Sequence, residues 1–245
     1  MSRFVDLHLR PNIERLDVAE SLFAKSSELG YNLIAVSLPP KIKPNDLRFL
    51  RKAAQDHNLG FATRIDLHPK SANELLRNLR ILRRKFEIVA VDCSTKTVAR
   101  QAAKDRRVDL LVFPSINRIN RHFDVAEGRL ASQGSAVLEI EIKSILQTHG
   151  STRARHLSCL RREVAISKKF QIPIILSSGA ANVYQLRGPH DSASIAMLFG
   201  MDKNSALKAV SHDPWTIVER NREKLEPNHV AQGIKIVRRE RKCDM

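Results

Sequence analysis

Aromatic side chains are scarce, with Phe, Tyr and Trp together making up 5% of the 245 residues. That scarcity argues against a surface that holds single strands mainly by stacking bases on rings. Cys93, Cys159 and Cys243 are odd in number and far apart, which excludes a disulfide framework and a zinc ribbon. No stretch approaches the roughly 20 apolar residues of a membrane span. The opening MSRFVDLHLRP goes straight into strand-like alternation and lacks the apolar region of a secretory signal, so a soluble intracellular protein without a membrane partner is expected. Negative charge is also in deficit: 26 Asp and Glu stand against 42 Lys and Arg, a formal net charge of +16. With 42% hydrophobic residues the chain has globular composition, and its surplus of positive charge points to a polyanionic partner.

Short runs of Val, Ile and Leu alternate with amphipathic stretches. The strand candidates are FVDLHL (4–9), NLIAVSL (32–38), GFATRIDL (60–67), FEIVAVDC (86–93), VDLLVFP (108–114), AVLEIEI (136–142) and IPIILSS (172–178). Helical patterns lie between them at 12–30, 45–58, 71–85, 95–106, 152–170 and 191–200. Strict succession of strand and helix implies βαβ units and a parallel sheet. Seven such units in this length predict a TIM-like (β/α) barrel, with an open doubly wound sheet as the alternative. The last unit is expected to be irregular or incomplete, because only 211–218 can supply an eighth strand and Pro214 disfavours one. Ser71 with Glu74, and Asp124 with Glu127, have capping-box spacing. Gly30 and Gly60 stand where helices should end. The spacing predicts one barrel domain over 1–232 and a basic C-terminal tail over 233–245. The connection from 114 to 135 is long and basic, carrying Arg118, Arg121, His122 and Arg129.

Two strand ends spell Asp-Leu-His, at Asp6 to His8 and Asp66 to His68. Alternation puts Asp and His on one side of a strand, and barrel strand ends converge on one mouth. Such groups, with Asp92 or Glu139 added, suit a divalent metal and a hydrolase. They equally suit a buried hydrogen-bonded pair. Ser177, Ser178 and Gly179 follow the seventh strand and are candidates for phosphate contact, or else an ordinary turn. On the 71–85 helix, Leu75, Leu79, Leu82 and Phe86 share one face while Arg77, Arg80 and Arg84 project from the other, flanked by Arg83 and Lys85. On the 152–170 helix, Arg155, Arg162 and Lys169 recur every seven residues. Cationic rows of this kind fit a phosphate backbone, and a solvated helix face is the plain alternative.

The segments FVDLHLRP, YNLIAVS, TRIDL, VDLLVFP, HFDVAEGRLASQGSAVLEIEI, RREVAISKKFQIPIILSSGA and LRGPHDSASIAMLFGM, in that order and spacing, resemble the ribonuclease P protein component 3 family. The resemblance implies a TIM-like barrel related to PHP-type metallophosphoesterases. It further implies a subunit of the ribonucleoprotein endonuclease that removes 5′ leaders from precursor tRNA. In such an enzyme the RNA component carries catalysis with magnesium, and the protein subunits stabilise the RNA. Component 2 is the implied protein partner, in a heterotetramer, alongside ribonuclease P RNA, other protein subunits and, indirectly, precursor tRNA. Catalytic PHP proteins begin with H-x-H, but here His8-Leu9-Arg10 stands, and no Asp or His occurs near 177–181. Asp6, His8, Asp66 and His68 are therefore expected to be vestigial metal-site positions, with no catalytic residue and no cofactor on this chain. The alternative is an autonomous metal-dependent phosphoesterase. The RNA-contact candidates become Arg64, Arg107, Lys168, Lys169 and Arg187 beside the helical rows, with pairing to Asp109 the alternative for Arg107; basic residues at strand ends equally suit neutralising Asp6, Asp66 or Asp92 inside the mouth. A compact archaeal form in the cytoplasm is expected, or a nuclear one if eukaryotic.

Overall fold

Residues that alternate between two buried faces make continuous apolar strands, and seven of these pair side by side. In the computed structural model, which describes residues 3–114, 121–231 and 234–235, they are β1 (Phe4–Leu9), β2 (Tyr31–Ser37), β3 (Gly60–Leu67), β4 (Ile88–Asp92), β5 (Leu110–Val112), β6 (Val137–Glu141) and β7 (Ile174–Ser177). All pairings are parallel and follow chain order. Outward residues such as Ile34, Val36, Ile65, Val89, Val91, Leu111, Leu138 and Ile140 are buried under the helices. Inward residues, among them Val5, Leu33, Ala62, Ile88, Leu110, Val137 and Ile175, fill the lumen.

The covering helices are α1 (Leu16–Glu28), α2 (Pro44–Asp56), α3 (Ala72–Leu82), α4 (Lys96–Lys104), α5 (Val125–Ser132), the short α6 (Ile142–Leu146), α7 (Gly150–Phe170) and α8 (Pro189–Met197). Local chemistry sets their ends. The Asp124 and Glu127 capping box forms in full at α5. At α3, Ser71 Oγ accepts from Glu74 N, but Glu74 reaches back to Lys70 N instead of Ser71. Gly30 ends α1 with φ +90°. Gly60 does not play that part after α2: Asn58 adopts the left-handed conformation, φ 58°, and Gly60 already lies in β3.

Among the described residues the barrel is nearly closed and has no eighth strand. β1 meets the segment just past β7 at one isolated bridge, Leu9 with Ala180, where Arg10 N donates to Ala180 O at 2.7 Å. Lower in the seam the carbonyls of Val210 and Ala209 accept from Val5 N and Leu176 N at 2.9 and 3.1 Å. These two residues follow α9 (Lys203–Lys208) and are all that stands for the missing strand. The open-sheet alternative is excluded, and the expected irregularity falls at the last unit. Residues 211–218 are not a strand: they lead into α10 (His212–Leu225), whose first turn holds Pro214, where a missing N–H costs nothing. The helix crosses the N-terminal ends of the strands and places Ile217 and Val218 in the lumen cluster. A two-stranded ribbon, β8 (His229–Ala231) and β9 (Ile234–Lys235), follows. Apart from Ile234–Lys235, the expected tail at 233–245 lies outside the described residues.

Candidate functional site at the barrel mouth

The C-terminal ends of the strands carry the polar side chains that alternation turns inward. A register shift between Asp6 and Leu9 divides the first Asp-Leu-His. Asp6 turns to the seam, where Oδ1 accepts from His8 N and Ser178 N, each at 3.1 Å. Burial pushes its carboxyl up from the ordinary range, and its Oδ2 is buried with no hydrogen-bond partner, as suits the neutral acid. His8 enters the lumen, 3.3 Å from Asp66 Oδ2, 3.1 Å from Glu141 Oε1 and 3.5 Å from Glu139 Oε1. The second Asp-Leu-His divides as well: Asp66 points inward, while His68, past the end of β3, is 66% exposed and lies 3.2 Å from Asp92. The four expected metal-site positions are thus not one site.

Arg64 occupies the centre. It is fully buried, and each of its five N–H groups has an acceptor. Nη1 donates to Leu7 O at 2.9 Å and Glu139 Oε1 at 2.6 Å, Nη2 to Asp66 Oδ1 and Glu139 Oε2 at 2.7 Å each, and Nε to Asp66 Oδ1 at 3.0 Å. Ser37 Oγ donates to the other oxygen of Asp66. Arg10, 40% exposed, closes the rim with a 3.0 Å pair to Glu141. Arg64, His8 and Arg10 therefore face Asp66, Glu139 and Glu141 in a balanced cluster.

Burial alone would raise the acids, but Arg64 and His8 hold Glu139 down to about 2 and Asp66 well below the usual carboxylate range. Burial and Arg64 push His8 down, yet Asp66 and Glu139 outweigh them and carry it up to about 10. Arg10 Nε approaches His8 Nε2 at 2.6 Å, a contact that only a neutral ring can accept. The buried carboxylates cannot move away and the half-exposed arginine can, so the imidazolium is the form that governs. A planar, fully bonded guanidinium stands between the carboxylates a metal would need. The donor set does not fit a metal ion, and no group of three or more ligands suited to one occurs among the described residues.

Of the small residues at the end of β7, Ser178 is bonded to this cluster. Ser177 and Ser178 are buried. Ser178 N meets Asp6 and Ser178 Oγ donates to His8 O at 3.3 Å. Gly179, at φ +67°, lies against Glu141, whose Oε2 would be 3.2 Å from an added Cβ.

The cations expected to meet RNA divide by exposure. Arg77, Arg80 and Arg84 on and after α3, and Arg155, Arg162 and Lys169 on α7, are exposed as the periodicity predicts. Arg64 is withdrawn from that group, since every donor it has is occupied inside the barrel. Arg83 is largely buried against Asp109 at 2.8 Å. Arg107 pairs with Asp105 at 2.7 and 2.9 Å, not with Asp109. Arg187 donates to the carbonyls of Tyr184 and Leu186. Lys168 donates to Gly200 O at 3.0 Å and remains exposed.

Comparison with known proteins decides the family, because the profile described as RNase P subunit p30 matches residues 3–226. The chain belongs to the RNase P subunit p30 family. It is similar to ribonuclease P protein component 3 of Methanococcoides burtonii, 26% identical over 235 residues, 95% of this chain and 93% of that protein. The same protein of Methanothermobacter thermautotrophicus is 26% identical over 242 residues, 97% of this chain and 96% of its own length. A chain in the cryo-EM structure of archaeal ribonuclease P with mature tRNA superposes with TM-score 0.82 at 22% identity, covering 97% of this chain and all of that one. That likeness shows the barrel fold.

Sequence reasoning placed Asp66 and His8 at the mouth of this RNase P subunit and kept open that a strand-end cation neutralises Asp66 there, as Arg64 does, but it missed Glu141. The available signal was the inward parity of Glu139 and Glu141 on one strand. It also read Arg121 as part of a basic loop. Arg121 is buried and gripped by Glu163 of α7, with Nη2 to Oε2 at 2.7 Å, and by Phe113 O at 2.6 Å. Arg118 lies outside the described residues.

Proposed function

We propose that this ribonuclease P subunit binds and stabilises the RNA component, which itself cleaves precursor tRNA to make the mature 5′ end, with magnesium serving the RNA and no cofactor held by this chain. The observation that carries the reading is Arg64, bonded across Asp66 and Glu139 where a PHP-type enzyme would hold its metal. A mouth built around a fixed cation supports the barrel and occupies Asp66 and Glu139 in holding it. The exposed rows Arg77, Arg80, Arg84 and Arg155, Arg162, Lys169 support contact with a phosphate backbone, since guanidinium and ammonium groups replace condensed counterions there. Component 2 is the protein partner in this reading, as a heterotetramer, and other protein subunits complete the particle. The relatives support an archaeal cytoplasmic setting. Among the described residues, no helix is long and apolar enough to cross a membrane. Reconstitution of precursor tRNA cleavage with and without this chain tests the reading. Cleavage should need less magnesium when the chain and component 2 are present. Phosphodiester turnover by the purified chain with magnesium or manganese would instead favour the autonomous phosphoesterase.

A further inference from the structure

The mouth of the barrel balances its charges, but its base does not. At the N-terminal ends of the strands, three nearby carboxylates are already taken. Asp109 is shared by Arg83 at 2.8 Å and Arg220 at 3.0 Å, Asp105 is held by Arg107, and Glu87 by Arg222 at 2.6 Å. Between the turn before β5, the turn before β6 and α10 lies a cleft of about 530 Å³, lined by Arg106, Ser135, Arg220, Glu223 and Lys224. Arg106 and Lys224 are exposed and have no ion-pair partner among the described residues. Among the described residues, Glu223 is the one acid lining the cleft against three cations. Burial, and then repulsion from Arg220 and Arg83, which outweighs the pull of Asp109, lowers the proton affinity of Lys224. The cluster is short of negative charge.

We propose that this cleft is a phosphate site, in which Arg106, Arg220 and Lys224 hold a backbone phosphate of the ribonuclease P RNA at the base of the barrel. An ionised phosphate supplies several strong acceptors, and the fork of a guanidinium matches them. Arg220 is held in place from behind by Asp109, so its position is fixed before the ligand arrives. Arg106 sits on a turn braced by the hydrogen bond from Ser135 Oγ to its carbonyl at 3.3 Å. The RNA therefore meets the face opposite the one that serves as the active face in barrel enzymes. This proposal rests on the RNA-binding reading above and assigns it a place.

The test uses the full chain and labelled ribonuclease P RNA titrated over a series of salt concentrations, with inorganic phosphate as the small-anion probe. Arg106→Ala with Lys224→Ala should weaken RNA binding by about tenfold at low salt and make the log–log salt slope shallower by about 0.7 to 0.9 for the one phosphate left unneutralised. Glu223→Gln should tighten binding, so the proposal does not depend on a loss alone. Both altered cations are exposed, and an unchanged thermal midpoint confirms the fold. If the unaltered chain binds RNA and all variants superpose on it, the cleft is not the site. If the paired variant loses inorganic phosphate while RNA binding stays the same, the cleft serves a small anion and the assignment to RNA is overturned. A chain that binds no RNA at all sinks the underlying reading instead.

Discussion

Arg64 joins strands that are far apart in the chain, and its removal would leave Asp66 and Glu139 buried and facing each other. Breaking a buried pair in this way typically costs about 3–5 kcal/mol, more than the hydrogen bonds alone, because the desolvated charges remain. Arg64→Met should therefore lower the urea-unfolding free energy by an amount of that order, whereas Arg77→Ala should leave it unchanged. The same cluster sets a pH window. Glu139 is held at about 2 against an ordinary 4.5, so its contribution is complete above 4.5 and is lost as pH falls toward 2. His8 is raised to about 10 from 6.5, so its contribution is complete below 6.5 and is lost as pH rises through 10. In urea melts across pH, Glu139 and His8 together contribute a plateau between those two ordinary values with decline on both sides, on which the raised carboxyl of Asp6 superimposes a loss as pH climbs above 3.8. His8→Gln should remove the alkaline decline; an alkaline limb that persists in it would assign that decline elsewhere.

Among the elements, α10 departs furthest from a regular (β/α) unit. It plugs the base with Ile217 and Val218 and clamps it through Arg220 to Asp109 and Arg222 to Phe61 O. A buried Ile cut to Ala costs about 2–5 kcal/mol through lost burial and a cavity. Ile217→Ala should lower stability within that range by urea unfolding. It should also speed hydrogen exchange at Val5 N, whose acceptor Val210 is positioned just before α10. Retained protection at Val5 would show that the seam holds without the plug. The strand and helix alternation was legible in sequence because its period repeats within a few residues. The identity of the final element was not, because Pro214 excludes a central strand and is equally at home in the first turn of a helix.

For the whole molecule, the formal charge of +16 is unevenly used. Many of its cations hold the fold together, as Arg64, Arg83, Arg121, Arg220 and Arg222 do. Of those left in solvent, two sets stand in rows, on α3 and on α7. Arg77, Arg80 and Arg84 changed together to Ala should make the salt dependence of RNA binding shallower by roughly 0.7 to 0.9 for each phosphate the row neutralises, without altering the thermal midpoint. An unchanged slope would mean that this row is solvated only.

The sequence by itself determined the βα alternation, the buried parity of each strand, the helix faces that stay in solvent, and the family, through ordered segments spread over nearly all the chain. These depend on spacing within an element, which neighbouring residues specify. Only the tertiary structure decided which charges are available. Arg64 and Glu139 are 75 residues apart, and Arg220 and Asp109 are 111 apart. No local pattern says that they meet. Closing seven strands around a lumen brings them within hydrogen-bond distance, and in that desolvated space a cation that looked ready for RNA is bound instead by the protein's own carboxylates.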